Sequence, residues 1–213
     1  MNDFMSFGLH RCWKHIAIAH LSLRPDHRVL DLAGGTGDLT IKIQRQLGPQ
    51  GHVTLSDINP DMLQVGRDRL LNQGIHRNID FIEANAEHLP FANNHFDRVI
   101  IGFGLRNVTD KMAALQEMVR VIKPGGRVII LEFSTTTLPA LQKFYDAYSF
   151  NIIPKLGKWV ANDEASYRYL VESIRMHPNQ ACLQKMMLDA GFDEAGFSNL
   201  TGGIVAIHHG MKY

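Results

Sequence analysis

The sequence predicts an α/β domain on a doubly wound, mostly parallel seven-stranded sheet, and three observations carry that prediction. From Val29 onward, short β-rich runs alternate with longer stretches of helical spacing, the pattern of strands joined by crossover helices. The last two β-like runs follow each other with no helix between them, as a closing hairpin does. The length of 213 residues fits one domain of about 100–200 residues with a modest insertion.

Each element has a local justification. Residues 1–28 begin on a mixed apolar segment, Phe4 to Leu23, and are expected to form a helical cover. Strands are predicted at Val29–Leu32, Val53–Asp57, Ile79–Glu83, Asp97–Ile101 and Arg127–Phe133, each beside Gly, Pro, Asn or Asp turn residues. Leu39–Leu47, Pro60–Leu71 and Lys111–Val121 carry helical spacing between them. Pro60 and Asp61 open the second helix, with proline in the first turn and a carboxylate near the positive end, and Lys123-Pro124-Gly125-Gly126 is expected to close the third. Residues 133–169 hold eight of the 18 aromatic residues, where even scatter would place about three. Residues 134–178 are therefore read as an insertion that either packs on its own small core or walls an apolar pocket. A helix near Asn179–Ala190 and the runs Glu194–Leu200 and Ile204–His208 complete the chain.

Composition removes several function classes. Apolar residues are 45% and charged residues 20%, enough to build a core and far from a disordered chain. A formal charge of +1 gives no basic footprint for nucleic acid. Cys12 and Cys182 form no motif, and a reducing cytoplasm fits by default. No apolar run approaches the 18 or so residues of a membrane span, and the start resembles no signal peptide. Eleven histidines invite a search for a metal centre. His10, His15 and His20 step by about 140° around a helix, and His208 and His209 oppose each other on a strand, so neither set makes a ligand face and no metal is expected.

The densest chemical signal is Val29-Leu30-Asp31-Leu32-Ala33-Gly34-Gly35-Thr36-Gly37-Asp38-Leu39, an apolar strand meeting a glycine-rich turn at a helix start. Glycines let a ligand approach the backbone, and free amides at the helix entrance receive hydrogen-bonding groups. Asp57, twenty residues beyond Gly37, ends the next strand, where a carboxylate can take both hydroxyls of a ribose. A nucleoside-bearing cofactor follows. The dinucleotide fingerprint fits poorly, because its last glycine position falls on Thr40.

The alternate spacing Asp31-x-Ala33-x-Gly35-x-Gly37 resembles the first motif of class I S-adenosylmethionine-dependent methyltransferases, whose fold is Rossmann-like, with Ala33 at the first glycine position. Gly102-Phe103-Gly104-Leu105-Arg106-Asn107-Val108-Thr109-Asp110 narrows the resemblance to the ubiquinone/menaquinone biosynthesis C-methyltransferases. Asp3–Arg11, Val121–Gly126 and Leu131–Ser134 resemble further blocks of that family, so the likeness covers essentially the whole chain. It implies S-adenosyl-L-methionine as cofactor and contacts at Thr36, Asp57, Asn85, Ala86 and position 102, usually serine but here Gly102; Asp31, Gly35, Gly37 and Ile58 complete the expected cofactor set. Asp31 is expected to orient the amino-acid end, and Asn85 to offer a donor and an acceptor to the adenine edge while Ala86 leaves room for its ring.

The resemblance further implies methylation of a ring carbon of a polyprenylated quinol, the demethylmenaquinol or the methoxy-polyprenyl-benzoquinol. Arg106 is assigned to stabilising phenolate charge and Asn107 to orienting a hydroxyl or a water. Arginine holds its proton too tightly to be an efficient base, so a water relay there would need a carboxylate such as Asp57 or Asp31. A surface or capping pair between Arg106 and Asp110 is the plainer alternative. The aromatic insertion is expected to line or cover a groove for the prenyl tail. The protein would then be cytoplasmic with peripheral contact to the inner membrane, Lys143, Lys155 and Lys158 being available to anionic lipid, and a homodimer or a quinone-biosynthesis complex stays open. Family members usually carry a further segment before Met1, with a tyrosine and an aspartate near the active site. A cover incomplete at that end is expected to spare cofactor binding and impair turnover. The competing readings are another small-molecule methyltransferase acting on oxygen or nitrogen, a cofactor-binding but inactive subunit of a quinone-biosynthesis assembly, and, less favoured, a nicotinamide-dependent oxidoreductase.

Overall fold

The computed structural model describes residues 8–135 and 164–213. Seven strands form one sheet: β1 Arg28–Leu32, β2 His52–Asp57, β3 Ile79–Glu83, β4 Phe96–Gly102, β5 Ile122–Phe133, β6 Glu194–Leu200 and β7 Val205–Met211. Their order is β3-β2-β1-β4-β5-β7-β6. The first five run parallel, and β7 runs antiparallel to both β5 and β6. The helices are α1 Leu9–His20, α2 Asp38–Gln44, α3 Pro60–Asn72, α4 Lys111–Val121, α5 Glu164–Met176 and α6 Gln180–Asp189.

Both faces of the sheet are covered, which is why its central strands read as unbroken apolar runs. Val29, Ile100, Ile129 and Leu131 point to one face, where Trp13, Ala17, Ile18 and Leu21 of α1 and its end meet Leu39 and Ile43 of α2. Leu30, Leu32, Val99, Ile101, Val128 and Ile130 point to the other, against Ala114, Leu115 and Met118 of α4 and Leu183 and Met187 of α6. The period of two along each strand thus sorts neighbouring residues into two cores. The N-terminal helix is itself one layer of the fold, and Trp13 donates its indole N–H to Thr201 in the β6–β7 connection at 2.9 Å.

Helix starts follow their capping chemistry. The Asn59 side chain accepts from the Asp61 and Met62 amides ahead of Pro60 in the first turn, Asp110 accepts from Ala113, and Asn179 accepts from Cys182. Two expectations needed correction. The helix predicted as Leu39–Leu47 stops at Gln44, where the chain tightens into a turn with Gln46 N–H on the Ile43 carbonyl. Lys123–Gly126 does not close a helix, because α4 already ends at Val121. Those residues lie in the first part of β5, at an irregularity in its pairing with β4, where the Gly125 amide donates to the Lys212 carbonyl.

The chain builds outward from β1 through β2 to β3, then returns to lay β4 and β5 on the other side of β1. This reversal opens a crevice at the carboxyl ends of β1 and β4, where sheets of this kind bind ligands. Among the described residues no helix is long and apolar enough to cross a membrane, and no group of three or more His, Cys, Asp or Glu could hold a metal ion.

Candidate active site

Five strand ends deliver the site: Asp31 and the glycine turn from β1, Asp57 from β2, Asn85 beyond β3, Gly102–Asn107 beyond β4 and Glu132 from β5. The residues immediately past β1 and β4, Ala33 and Phe103, both take left-handed backbone conformations at φ 52° and 59°. For residues with a Cβ that conformation is strained, and it bends both chains away at the rim of the crevice.

The glycines of the first turn do different jobs. A Cβ on Gly34 would come within 2.8 Å of the Asp31 carboxyl and 2.3 Å of Leu55, and one on Gly37 within 2.6 Å of Leu70, so these two let the turn pack on the sheet and α3. A Cβ on Gly35, at φ 52°, would be in ordinary contact with Met62 at 3.4 Å and Asp57 at 3.7 Å, so glycine is needed there for the left-handed backbone more than for room. The Asp57 carboxylate takes the Gly35 amide at 2.8 Å and the Asn59 amide at 2.9 Å, tying the turn to the end of β2. Ile58 beside it is 62% exposed, an apolar side chain facing outward at the crevice rim.

A second set of contacts holds the turn from outside. Arg69 of α3 donates to the carbonyl and hydroxyl of Thr36, both at 3.0 Å, and to Asp38 at 2.8 Å. Lys14 of α1, itself buried, reaches the other oxygen of Asp38 at 2.9 Å. Burial alone would raise the Asp38 pKa, but hydrogen bonds and charge from Lys14 and then Arg69 outweigh it and hold the carboxyl at about 2. Neither Lys14 nor Arg69 belonged to the expected site, and nothing short of the fold signals them.

Asp31 is fully buried. Its Oδ2 accepts the Thr40 hydroxyl at 2.6 Å, while Oδ1 has no partner among the described residues. Burial, partly offset by Thr40, pushes its pKa up to about 6. An orphaned buried carboxylate oxygen is a costly feature that a cationic ligand group would satisfy.

The residues expected at the adenine site, Asn85 and Ala86, lie just beyond β3. Asn85 is exposed, and its side-chain oxygen accepts the Glu87 amide at 2.9 Å, which orients the side chain and leaves its amide nitrogen as a donor. Ala86 is buried among Leu32, Leu89 and Leu105, its methyl serving the core. A Cβ at Gly102 would meet Leu39 at 2.7 Å, so this position offers backbone only.

Arg106 differs most from its sequence-based alternatives. It does not pair with Asp110, which caps α4, nor with Asp31 or Asp57. Its partner is Glu132, at 2.9 Å from Nη1, with side-chain exposures of 13% and 1%. Glu132 also accepts the Arg106 amide at 3.2 Å and the Phe133 amide at 2.9 Å. Burial raises the Glu132 pKa, and the Arg106 charge and these amides oppose that rise. Nη1 donates further to the Phe103 carbonyl, and the guanidinium lies 5.6 Å over the Phe133 ring. Nε is buried with no partner among the described residues. Asn107 accepts the Tyr169 hydroxyl of α5 at 3.2 Å. Glu132 stands in Leu131–Ser134, a block quoted for its likeness, yet nothing in that run told its partner.

Of residues 133–169, read as the wall of a groove, 136–163 lie outside the described residues. Phe133 packs with Phe103 and Trp13, at centroid distances of 4.9 and 6.5 Å, beneath Arg106.

Comparison with known proteins gives the family and the fold. The family model for the ubiE/COQ5 methyltransferase family matches residues 1–212. A ubiquinone/menaquinone biosynthesis C-methyltransferase UbiE from Coxiella burnetii is 63% identical over 213 residues, all of this chain and 85% of that protein. The protein of the same name from Yersinia enterocolitica is 59% identical over the same shares. Among solved structures, a SAM dependent methyltransferase from Aquifex aeolicus superposes with a TM-score of 0.69 over 94% of this chain and 89% of that one; at 16% identity this is a likeness of fold. On a family match spanning nearly every residue, the chain belongs to the ubiE/COQ5 methyltransferase family.

Proposed function

We propose that this methyltransferase moves a methyl group from S-adenosyl-L-methionine to a ring carbon of a polyprenylated quinol, in ubiquinone biosynthesis, menaquinone biosynthesis or both. The observation that carries the reading is a pair of buried polar atoms of opposite character with no partner among the described residues, Asp31 Oδ1 near the carboxyl end of β1 and Arg106 Nε just beyond β4. One suits a cationic cofactor end, the other an anionic acceptor oxygen. The names of the Coxiella and Yersinia relatives supply the quinone pathway.

The residues present fit such a cofactor. Asp31 Oδ1, a buried carboxylate oxygen with no partner among the described residues, suits an ammonium group; the Gly35 turn would border the chain of the cofactor, Asp57 would take ribose hydroxyls, and exposed Ile58 and Asn85 would meet the adenine. When bound, S-adenosylmethionine would supply a methyl on a cationic sulfur: the carbon–sulfur bond breaks to leave a neutral thioether as the methyl bonds to the ring carbon, whose proton passes to water. The chain contributes alignment and charge control, the main source of rate in such a transfer. Arg106 Nε donates to the phenolate oxygen whose charge makes the ring carbon nucleophilic. Asn107, held by Tyr169, orients a hydroxyl or the water that removes the ring proton. Residues 134–178 form the substrate side, a reading supported by the aromatic density of 133–169 and by Tyr169 reaching Asn107. Peripheral contact with a membrane follows from the lipid substrate.

Incubation with labelled S-adenosylmethionine and each quinol in turn tests this, with label expected on a ring carbon. Label on oxygen or nitrogen would favour the other small-molecule methyltransferases, and tight cofactor binding with no transfer would favour the inactive subunit. The Lys14–Asp38–Arg69 clamp adds a separate expectation. Lys14→Met loosens the glycine turn from α1, and isothermal titration should show cofactor affinity reduced about threefold to tenfold, one half-buried charged hydrogen bond. Unchanged affinity would mean that Arg69 alone holds the turn.

A further inference from the structure

The Arg106 guanidinium sits between two elements that do not touch it for the same reason. From β4 and the turn after it come Arg106 itself and the Phe103 carbonyl that accepts from Nη1. From the end of β5 come Glu132, bonded to Nη1 and to the Arg106 amide, and Phe133, whose ring lies under the guanidinium. Both oxygens of Glu132 are occupied, Oε1 by Nη1 and the Phe133 amide, Oε2 by the Arg106 amide. A carboxylate so placed fixes the side chain and the backbone of one residue at once. It also engages the Nη1 end of the guanidinium, while Nε is a buried donor with no partner among the described residues.

From this geometry we infer that Glu132 is a positioning residue for methyl transfer: it locks the guanidinium plane of Arg106 so that the Nε edge, and not the Nη1 end, is presented to the acceptor oxygen. The inference rests on the role given above to Arg106. Glu132 holds Arg106 at two points, Oε1 on the guanidinium Nη1 and Oε2 on the backbone amide, and the charge-assisted Nη1 bond is one that a neutral or shorter partner reproduces poorly. Burying that pair gains little net stability over an apolar one, so its retention at a strand end beside the crevice calls for another reason. Holding a donor in one orientation before the substrate arrives is such a reason, since small misplacements of a catalytic group cost large factors in rate.

The test uses the full 213-residue chain and has an arm that needs no quinol. Nitrogen-15 NMR of the Arg106 side chain reports rotation about Nε–Cζ. Separate, slowly exchanging Nη signals are expected in the unsubstituted protein and averaged ones in Glu132→Gln. In the kinetic arm, Glu132→Gln should lower kcat about tenfold or more while cofactor affinity stays within about twofold. Added to Arg106→Ala, it should lower kcat no further, because a residue acting only through Arg106 has nothing left to position. Identical NMR signals, an unchanged kcat, or a further loss in the double variant would each overturn the assignment. A variant that lost cofactor affinity and kcat together would mark Glu132 as merely structural. Should Glu132→Gln not fold, Glu132→Asp carries the same measurements, with Nη exchange and kcat expected between those of the other two proteins. If the unsubstituted protein binds cofactor but methylates neither quinol, the functional reading fails, and the NMR arm still decides whether Glu132 holds the guanidinium.

Discussion

Arg106→Ala is expected to cut kcat for quinol methylation by roughly 10²–10³-fold, with cofactor affinity within about threefold of the unsubstituted protein. The size follows from removing one preoriented donor from a charge that develops in the reaction. The split between kcat and affinity follows from position: Arg106 lies beyond β4 and bonds to Glu132 and Phe103, whereas the cofactor turn is held by Asp57, Arg69 and Lys14. Removing the cation also strands Glu132 in a buried place, which destabilises the fold by about 3–5 kcal/mol. Activity is therefore to be compared well below the unfolding transition of the variant, with bound cofactor measured on the same sample. A variant that binds cofactor and turns over like the parent would remove Arg106 from the chemistry.

Asp31→Asn is expected to trade affinity for stability. The folded-state pKa of Asp31 is about 6 against 3.8 for the free side chain, so the folded protein holds this proton more tightly than the unfolded chain. Below about pH 4 both states are protonated and nothing is lost. As pH rises between about 4 and 6 the unfolded chain ionises first and stability falls, by roughly 3 kcal/mol once pH is above 6. Asparagine cannot ionise, so without cofactor the variant should melt several degrees higher than the parent at pH 7.5 and lose that advantage at pH 4, at roughly 2–4 °C per kcal/mol for a chain of this size. Cofactor affinity should move oppositely, down roughly 10- to 100-fold at pH 7.5, as a charge-assisted hydrogen bond is lost. In the parent, affinity should weaken as pH falls through about 6, where protonation removes the anionic acceptor, and the variant should show no such step. Lys14 and Asp57 are the charged neighbours that act on Asp31, and a step that persists in Asp31→Asn would assign the titration elsewhere.

The elements with strong periodicity and clear punctuation were legible from the chain alone. Pro60 and Asp61 announced α3, and Asn59 caps it; the run Ile79–Glu83 is β3 to the residue. The alternation of apolar runs and helical spacing carried the doubly wound sheet, because burial on both faces leaves that trace in any order of strands. Boundaries governed by weaker local preferences shifted: α2 ended three residues early, and Lys123–Gly126 joined β5. The helix in the N-terminal segment was expected as a cover, and Trp13, Ala17 and Ile18 make it a layer of the core.

For the candidate site, the sequence pointed most directly to positions that share one local turn or one strand end. Gly35 and Gly37 follow β1 and Asp31 and Asp57 stand near the ends of β1 and β2; the structure ties Gly35 to the Asp57 carboxylate and packs Gly37 against α3. Partnerships across the sheet were another matter. Arg106 lies 26 residues from Glu132, Lys14 lies 24 from Asp38 and Asn107 lies 62 from Tyr169. A side chain's sequence neighbours do not say which strand end will lie beside it. Asp110, four residues from Arg106, was the near candidate, and it spends its carboxylate on the start of α4. The sequence by itself determined the class of fold and the glycines, carboxylates and arginine that stand at the strand ends. Only the tertiary structure decided which oxygen of Asp31 and which nitrogen of Arg106 remain unpaired, because that depends on strand order and packing, which set every neighbour and its distance.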